Sequence, residues 1–322
     1  MLCPVRNGAP TKVIVHPKKV DARHLRLLRS RFEEKDIFFT SSLEDAALFA
    51  QNPSKEGFHR ILVIGGDGLF SKAVNGYLRD NPRPEKVSFG LVPLGSGNDF
   101  ARSFQIPFHF EKALDHFQNS VAQPIDVCKI RFTDWKDEQQ EGYFTNAAGL
   151  GCIPLVVESF NRLRFFRHPV MYSVLALLDS YRYDSARITI ASGNKKLFSG
   201  PIRWASLTNG KYAGGGLQFG RYAFADDGLF QIKIVHSLSK WKTAYLCLKF
   251  ASFGIEKHPN MIDHFVDNAS ISTMETYPVL IEADGEILGK LPIDISILHR
   301  HLMFHGRAPS LPDCPASGAG LY

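Results

Sequence analysis

The sequence predicts an N-terminal doubly wound α/β domain followed by a mostly antiparallel β domain. Strand and helix signals alternate over the first third of the chain, whereas short alternating segments separated by Gly, Asn and Asp follow Pro124. The length of 322 residues also favours about two domains, each large enough to bury a core. We place the first domain over residues 1–124 and the second over 125–302, with the C-terminal segment 303–322 as a candidate to pack back on the first.

The elements of the first domain alternate in order. The segments "KVIVHP" and "DIFFTS" are typical of strands and flank a helical pattern in "DARHLRLLRSRFEEK". A second helix is predicted from Ser42, because two acidic residues stand in its first turn. A strand over 60–64, a helix from about Ser71, a strand over 87–93 and a helix from about Asp99 follow. Strands separated by helices predict a parallel sheet, whose ligands bind at the carboxyl ends of the strands.

The second domain consists of short strands. Segments such as "ARITIAS", "FQIKIV" and "IDISIL" alternate apolar and polar residues, which is typical of antiparallel strands with one buried face. Two helical insertions interrupt them, over about 155–181 and 239–254. The first insertion is apolar and aromatic, so it is either an entry for acyl chains or a core helix.

Composition narrows the class of protein. The chain is 44% hydrophobic and 22% charged, which is ordinary for a globular protein. It contains no apolar run of about 18 residues, and its start lacks the features of a secretory signal, so we expect a cytoplasmic protein. Five scattered cysteines without a C-x-x-C pair argue against a disulfide framework or a zinc site.

The net charge of +6 favours anionic partners. Basic residues between 160 and 168 are interleaved with phenylalanines, which is typical of a membrane interface; the alternative is a solvated helix face. The membrane or lipid contacts predicted there are Arg162, Arg164, Phe165, Phe166 and Arg167. We therefore expect peripheral association with the inner face of the membrane and contact with anionic phospholipids. Nucleic acid is not an expected partner, because the basic residues lack aromatic stacking platforms on strands.

The stretch Gly65-Gly66-Asp67-Gly68 lies between a predicted strand and a predicted helix. Glycines let the backbone approach a phosphate, and the following helix adds its positive end. Asp67 would repel a bare phosphate, so we interpret it as holding Mg²⁺ or a water bound to Mg²⁺. A plain strand–turn–helix corner is the alternative.

A second glycine loop, "PLGSGNDFAR", repeats this architecture after the next strand. Ser96 offers a hydroxyl, Asn98 an amide and Asp99 a second carboxylate at the same edge of the predicted sheet. The loop is neither a Walker A loop nor a Rossmann fingerprint. Two glycine loops with polar tips predict a nucleotide held across two strand ends.

The paired motifs "GGDGLFSKAVNG" and "PLGSGNDFAR" resemble the signatures of the diacylglycerol kinase catalytic-domain family, which includes bacterial lipid kinases, sphingosine kinases and ceramide kinases. The segments "TNAAGLGC", "TNGKYAGGG", "FADDGLFQIKIV" and "EADGE" extend the resemblance in the order of the family, so that it covers about residues 12–303. It implies an N-terminal domain like those of phosphofructokinase and NAD kinase, a C-terminal β-sandwich, and ATP in the cleft between them.

The resemblance also implies roles for individual residues. Asp284 and Glu286 match the acidic pair that supplies the catalytic base, and Asp67 joins them in the catalytic set. Asp227, with backbone oxygens of Phe224 and Leu229, matches a structural Mg²⁺ site. The nucleotide-binding residues implied at the matching positions are His16, Thr40, Gly65, Gly66, Asp67, Gly68, Lys72, Gly95, Ser96, Gly97, Asn98 and Asp99.

Three positions depart from the pattern of the family. The first strand ends in His16-Pro17-Lys18-Lys19, where Asn-Pro, a small residue and Gly are usual. Leu69 stands where Thr is usual, and we expect it to remove a hydroxyl that could reach a phosphate. Lys72 stands where Glu is common, which reverses a charge near the nucleotide. The retained acidic residues predict an active enzyme, and a catalytically degenerate membrane-associated nucleotide or lipid-binding protein is the alternative.

The acceptor is expected to be a neutral lipid in lipid metabolism, first of all diacylglycerol. Leu155 stands where sphingosine kinases carry an Asp that can hold the sphingoid amine, which disfavours a free sphingoid base. A ceramide or sphingoid lipid kinase is the alternative. The resemblance implies ATP and Mg²⁺ as cofactors and a lipid substrate at a membrane surface, and a homodimer stays open.

Overall fold

A parallel sheet forms the first part of the chain, in a computed structural model that describes residues 9–81, 87–163, 169–236, 238–253 and 258–307. Four strands pair in parallel in the spatial order β2-β1-β3-β4. These strands are β1 (Thr11–Val15), β2 (Ile37–Phe39), β3 (Arg60–Gly65) and β4 (Ser88–Pro93). β1, β3 and β4 are buried along their whole length, which explains why each is an almost unbroken apolar run in the sequence.

Helices follow each of these strands. They are α1 (Ala22–Arg31), α2 (Glu44–Phe49), α3 (Asp67–Asp80), α4 (Asp99–Ser103) and α5 (Phe110–Asn119). α3 begins at Asp67 and not near Ser71 as predicted, because Gly66 is already the extended residue that caps the helix. The first glycine loop is therefore short, and its second half belongs to the helix.

The second part of the chain is rich in antiparallel strands. These are β5 (Gln123–Thr133), β6 (Gln139–Phe144), β7 (Ala147–Gly151), β8 (Ala186–Ser192), β9 (Lys195–Thr208), β10 (Phe230–His236), β11 (Met261–Val266), β12 (Asn268–Thr273), β13 (Leu280–Ala283) and β14 (Glu286–Phe304). Three helices interrupt them: α6 (Ile153–Arg162), α7 (Pro169–Arg182) and α8 (Lys240–Phe253). The strands enclose a separate hydrophobic core, so the predicted fold class, an α/β domain followed by a β-rich domain, is confirmed.

The last strand, β14, connects the two parts. It pairs antiparallel with β5 and β13, and its end pairs in parallel with β4, where Met303 lies opposite Ser88. Phe304 then packs against Phe70 of α3 and Phe100 of α4, with ring centroids 5.5 and 4.9 Å apart. The helices that follow both glycine loops thus rest on the end of β14. The limits 1–124 and 125–302 stay a prediction, and residues from 308 onward lie outside the described part.

Candidate active site

The two glycine loops touch each other through their backbones. A Cβ atom at Gly66 would lie 2.9 Å from the Cα of Gly95, and a Cβ at Gly95 would lie 2.7 Å from the Cα of Gly66. Leu94 N–H also donates to the Gly65 carbonyl at 2.8 Å, because β3 and β4 are neighbours in the sheet. Only glycine fits at both points of contact, so the pair of loops forms one continuous backbone surface at the carboxyl edge of the sheet.

The side chain of Asp67 is hydrogen-bonded to the residues that follow the second glycine loop. Its two carboxylate oxygens accept the backbone N–H groups of Asp99 at 3.0 Å and Phe100 at 3.1 Å, the first residues of α4. Loss of solvation raises the pKa of Asp67 to about 7, and the negative charge of Asp99 adds to this effect. A divalent cation at this place would relieve the repulsion between the Asp67 and Asp99 carboxylates. Carboxylate oxygens are the ligands that Mg²⁺ prefers.

Asn98 and Asp99 are engaged in holding the protein together. The Asn98 side chain closes its own loop, since Oδ1 accepts from Gly95 N–H at 2.8 Å and Nδ2 donates to the Gly95 carbonyl at 3.0 Å. The buried carboxylate of Asp99 accepts the N–H groups of Gly215 and Gly216, in the loop between β9 and β10. Ser96, at the exposed tip, is the polar side chain of this loop that faces solvent.

Asp284 lies in the turn between β13 and β14, where its backbone φ is +46°. Its carboxylate accepts the backbone N–H groups of Thr145, Asn146 and Ala147 at 3.0 to 3.1 Å. Desolvation raises its pKa despite these hydrogen bonds, which act in the opposite direction together with one from Ser71 of α3. The charge of Asp284 contributes to the raised pKa of Asp67, so these two predicted site residues are close enough for their charges to interact.

Glu286 and Lys72, which the sequence analysis treated separately, form an ion pair. Lys72 Nζ lies 2.7 Å from Glu286 Oε2 and 3.3 Å from Glu44 Oε1. Burial acts to lower the pKa of Lys72, but the hydrogen bonds and charges of the two glutamates outweigh it, so the pKa is raised. The lysine at position 72 therefore connects α3 to the first residue of β14 through this ion pair.

Leu69 is the third residue of α3 and is buried. Its side chain is buried in the hydrophobic core beneath the parallel sheet's helices, and a Cβ at Gly65 would come within 2.6 Å of Leu69 Cδ2. The third residue of α3 points under the loop, and the expectation that Leu69 removes a hydroxyl from the phosphate site stays a prediction. The surface of the loop is made by the backbone.

His16 and Thr40 follow the neighbouring strands at the same edge of the sheet. His16 N–H donates to the Ile64 carbonyl, and Thr40 N–H donates to the Val15 carbonyl, each at 3.0 Å. The Nδ1 atom of His16 is buried without a hydrogen-bond partner among the described residues. Burial, followed by the charge of Lys19, lowers the pKa of His16. Their contact with a nucleotide stays a prediction.

The predicted structural Mg²⁺ site surrounds a carboxylate that the sequence analysis missed. Asp126, fully buried in β5, accepts from Gly228 N–H at 2.7 Å and lies 2.9 Å from His299 Nδ1. Its charge adds to burial in raising the pKa of Asp227, whose Oδ1 accepts from Leu229 N–H. Within the described ranges, no group of three or more His, Cys, Asp or Glu side chains could hold a metal ion. A site built from Asp227 and the backbone oxygens of Phe224 and Leu229 stays a prediction.

Glu282 is the second residue that the sequence analysis missed. It is only 6% exposed, its Oε2 accepts from Gly285 N–H at 3.1 Å, and burial raises its pKa to about 8. A Cβ at Gly149 would lie 2.6 Å from Glu282 Oε1, so glycine leaves room for the acid. The signal was a lone Glu in the apolar segment "VLIEA", but its burial depends on α6, which packs against β13.

The predicted membrane segment falls mostly outside the described residues. Arg162 ends α6, is exposed, and pairs with Glu158 at 2.6 Å. Arg164, Phe165, Phe166 and Arg167 belong to the part that the structure does not describe. No described helix combines the length and the apolar character needed to cross a membrane.

Comparison with known proteins gives consistent matches. The model of the diacylglycerol kinase catalytic domain matches residues 12–130, and that of the YegS C-terminal NAD kinase beta sandwich-like domain matches residues 147–304. A diacylglycerol kinase of Staphylococcus carnosus is 27% identical over 273 residues, which are 84% of this chain and 83% of the relative. One of Staphylococcus aureus is also 27% identical over 84% of this chain and 81% of its own length.

Two solved structures share the fold. A diacylglycerol kinase of Bacillus anthracis has a TM-score of 0.68 at 20% identity, covering 93% of this chain and 97% of its own. Yeast NADH kinase in complex with NADH has a TM-score of 0.53 at 11% identity, covering 94% of this chain and 84% of its own. The NAD kinase-like architecture expected from the motifs is thereby confirmed.

Proposed function

Because the chain belongs to the diacylglycerol kinase catalytic-domain family and is a lipid kinase, we propose that it transfers the γ-phosphoryl group of ATP, with Mg²⁺, to a hydroxyl of a neutral lipid, first of all diacylglycerol. The observation that carries this proposal is the position of Asp284. Its turn is fixed by the backbone of 145–147, and it interacts with Ser71 of α3 and with Asp67. This position supports the proposal, because the candidate base lies near the start of α3, where the phosphates are proposed to bind.

The nucleotide phosphates are proposed to bind on the joined glycine loops. Backbone N–H groups at the start of α3 and the exposed hydroxyl of Ser96 are the donors at this surface. Lys72 lies on the same helix, with its charge paired to Glu286 and Glu44. Asp67 is the carboxylate that would hold Mg²⁺. When bound, Mg²⁺ neutralises negative charge on the phosphates.

Asp284 is proposed as the general base. It accepts the proton of the lipid hydroxyl as the oxygen of that hydroxyl bonds to the γ-phosphorus, and the bond from phosphorus to the oxygen of ADP breaks. Desolvation raises the pKa of Asp284 and so makes it a better proton acceptor than an exposed carboxylate. Glu286 is less suited to this role, because Lys72 holds its carboxylate in an ion pair.

The preference for a neutral lipid rests on the residues near the first turn of α6. Leu155 is apolar and half-buried there, and offers no charge to a sphingoid amine. Glu282 lies near Ile153, since a Cβ at Gly149 would touch both side chains. Its pKa of about 8 leaves it largely protonated at neutral pH, so it too offers little charge to an amine.

The test is transfer of labelled phosphate from ATP to diacylglycerol, ceramide and sphingosine in mixed micelles. Wild type should label diacylglycerol only with Mg²⁺ present, and Asp284→Asn should lower the rate by about 10²-fold or more. Asp294→Asn is the matched control, because Asp294 is an exposed residue of β14 that accepts a hydrogen bond from Ser270. Thermal unfolding checks that each variant is folded. Labelling of ceramide alone would change the substrate, and labelling of no lipid would refute the proposal.

A further inference from the structure

Helices α7 and α8 expose large apolar side chains in regular stripes. On α7, Val174, Leu178 and Tyr181 are 41%, 46% and 40% exposed, and their spacing places them on one face of the helix. On α8, Trp241 and Tyr245 are 74% and 60% exposed and stand one helical turn apart. We name these five residues the α7–α8 aromatic face.

The two stripes form one continuous surface. The rings of Tyr181 and Trp241 are in contact, with centroids 4.7 Å apart, and the two helices pack against each other. A contiguous exposed apolar patch on a protein surface marks an interaction site more often than isolated apolar residues do. Trp and Tyr are also the side chains that favour the boundary between water and lipid, because each has an apolar ring and a polar tip.

Cations surround the aromatic face. Lys249 Nζ lies 5.4 Å from the centre of the Tyr245 ring, and Lys242 is exposed beside Trp241. The nearby acids already face other cations: Asp184, just after α7, pairs with Lys240 at 2.6 Å, and the buried Asp179 of α7 lies 3.7 Å from Arg182. Within the described residues, neither Lys242 nor Lys249 forms an ion pair, so the surface is positive around its apolar centre.

The aromatic face is connected to the candidate active site through α6. This helix packs against α7 on one side and against β13 and β14 on the other. Asn161 Nδ2, near the end of α6, donates to the Gly285 carbonyl at 3.1 Å, in the turn that carries Asp284. A surface that binds to a membrane through α7 and α8 would therefore place the catalytic turn close to that membrane.

We propose that the α7–α8 aromatic face is the surface that docks on a membrane containing anionic phospholipids. The proposal rests on the proposed lipid kinase function, because a kinase with a bilayer-bound substrate must meet that bilayer. Aromatic rings enter the interface and the lysines contact lipid phosphates, which is how interfacial helices bind anionic membranes. This assigns membrane contact to α7 and α8, beyond the 162–167 segment that the sequence analysis favoured.

The test is sedimentation with vesicles of phosphatidylcholine alone and of phosphatidylcholine mixed with phosphatidylglycerol, without ATP or lipid substrate. Wild type should bind the mixed vesicles. The double variant Trp241→Ser/Tyr245→Ser should bind them with an affinity lower by about tenfold or more. The double variant Lys242→Glu/Lys249→Glu should also bind the mixed vesicles about tenfold less, whereas its binding to vesicles of phosphatidylcholine alone should not change. Trp135→Ser is the control, because Trp135 is 60% exposed on the turn between β5 and β6.

A second measurement uses the fluorescence of Trp241. In a Trp135→Phe background the other tryptophan, Trp204, is buried, so a blue shift on adding mixed vesicles reports Trp241 entering the interface. Unchanged binding by both double variants, or equal loss with Trp135→Ser, would overturn the proposal. So would a wild-type dimer in light scattering that Trp241→Ser/Tyr245→Ser abolishes, because the face would then bind a second copy.

The failure of this proposal and of the proposed function are distinguishable. Vesicle binding is measured without catalysis, so an inactive protein can still bind. If both proposals hold, the double variants should retain wild-type activity on a short-chain diacylglycerol dissolved in water and lose about tenfold on vesicle-embedded diacylglycerol.

Discussion

Lys72 of α3 lies 2.7 Å from Glu286 at the start of β14, so an ion pair spans the candidate site between its two parts. Glu44 of α2 lies 3.3 Å from the same Nζ on the other side. This arrangement explains how a lysine is accommodated beside the acidic turn at 284–286. It also separates the two acids of the "DGE" segment, because Glu286 has a cation as its partner, whereas backbone N–H groups surround Asp284.

The ion pair predicts a measurable but small coupling energy. Its side chains are 25% and 36% exposed, so water screens much of the attraction. A double-mutant cycle of Lys72→Met and Glu286→Gln in urea unfolding should give a coupling of about 0.2–1 kcal/mol. The same cycle for Lys35 and Glu33, whose side chains are 74% and 72% exposed, should give less. Zero coupling between Lys72 and Glu286 would contradict the pair.

Restoring the hydroxyl that is usual at position 69 should harm the protein. Leu69 is 1% exposed, so Leu69→Thr would bury a hydroxyl and leave a cavity, and it should lower the free energy of unfolding by about 2–4 kcal/mol. The Kd for ATP, measured by calorimetry, should not improve. Leu69→Met is the control, since a swap of similar volume should destabilise by less than about 1.5 kcal/mol. Tighter binding of ATP by Leu69→Thr would show that the side chain reaches the nucleotide.

Leu69 and Lys72 show how far the sequence alone could lead. The glycine loops, the buried strands and the change to antiparallel strands follow from local patterns, because strands, turns and helix starts depend on neighbouring residues. Glu286, the nearer partner of Lys72, stands more than 200 positions away in the chain, and the phase of α3 depends on where the helix begins. Neither the ion pair of Lys72 nor the burial of Leu69 can therefore be predicted from neighbouring residues in the sequence.

Asp99 and Glu282 show the same limit for polar residues. Asp99 looked like a ligand-binding side chain, but its carboxylate accepts N–H groups of Gly215 and Gly216, which only the folded chain brings near. Glu282 is buried next to Ile153 of α6, a helix that packs against β13 only in the folded chain. The motifs indicated where the site lies, whereas the hydrogen bonds within it are long-range.

The contact between the loops predicts that alanine is harmful at Gly95 and tolerated at Gly68. A Cβ at Gly95 would lie 2.7 Å from the Gly66 backbone, whereas nothing lies within 4 Å of a Cβ at Gly68. Gly95→Ala should destabilise the protein by about 1–3 kcal/mol and separate the loops. Gly68→Ala, in the first turn of α3, should be neutral or stabilise it by up to about 1 kcal/mol. Thermal unfolding of both variants checks this, and equal effects at the two positions would mean that the loops do not touch.

Glu282 predicts a pH dependence of stability. The folded protein keeps this carboxyl protonated up to its pKa of about 8, whereas the unfolded chain releases the proton near the ordinary value of 4.5. The stabilisation is therefore complete below about pH 4.5 and is lost as the pH rises to about 8, by about 1.4 kcal/mol for each pH unit in this window. Glu282→Gln cannot ionise and keeps an oxygen for Gly285 N–H.

The free energy of unfolding is measured in urea at pH 5 and at pH 8. Between these two pH values, that of Glu282→Gln should rise by several kcal/mol relative to that of wild type. The comparison is made as a difference from wild type, because Asp67, whose pKa is raised to about 7, titrates in both proteins. Glu141→Gln is the control: ion pairs with Lys129 and Arg131 lower the pKa of Glu141, so its difference from wild type should stay constant above pH 5. Parallel curves for Glu282→Gln and wild type would mean that Glu282 is already ionised in the folded protein at pH 5.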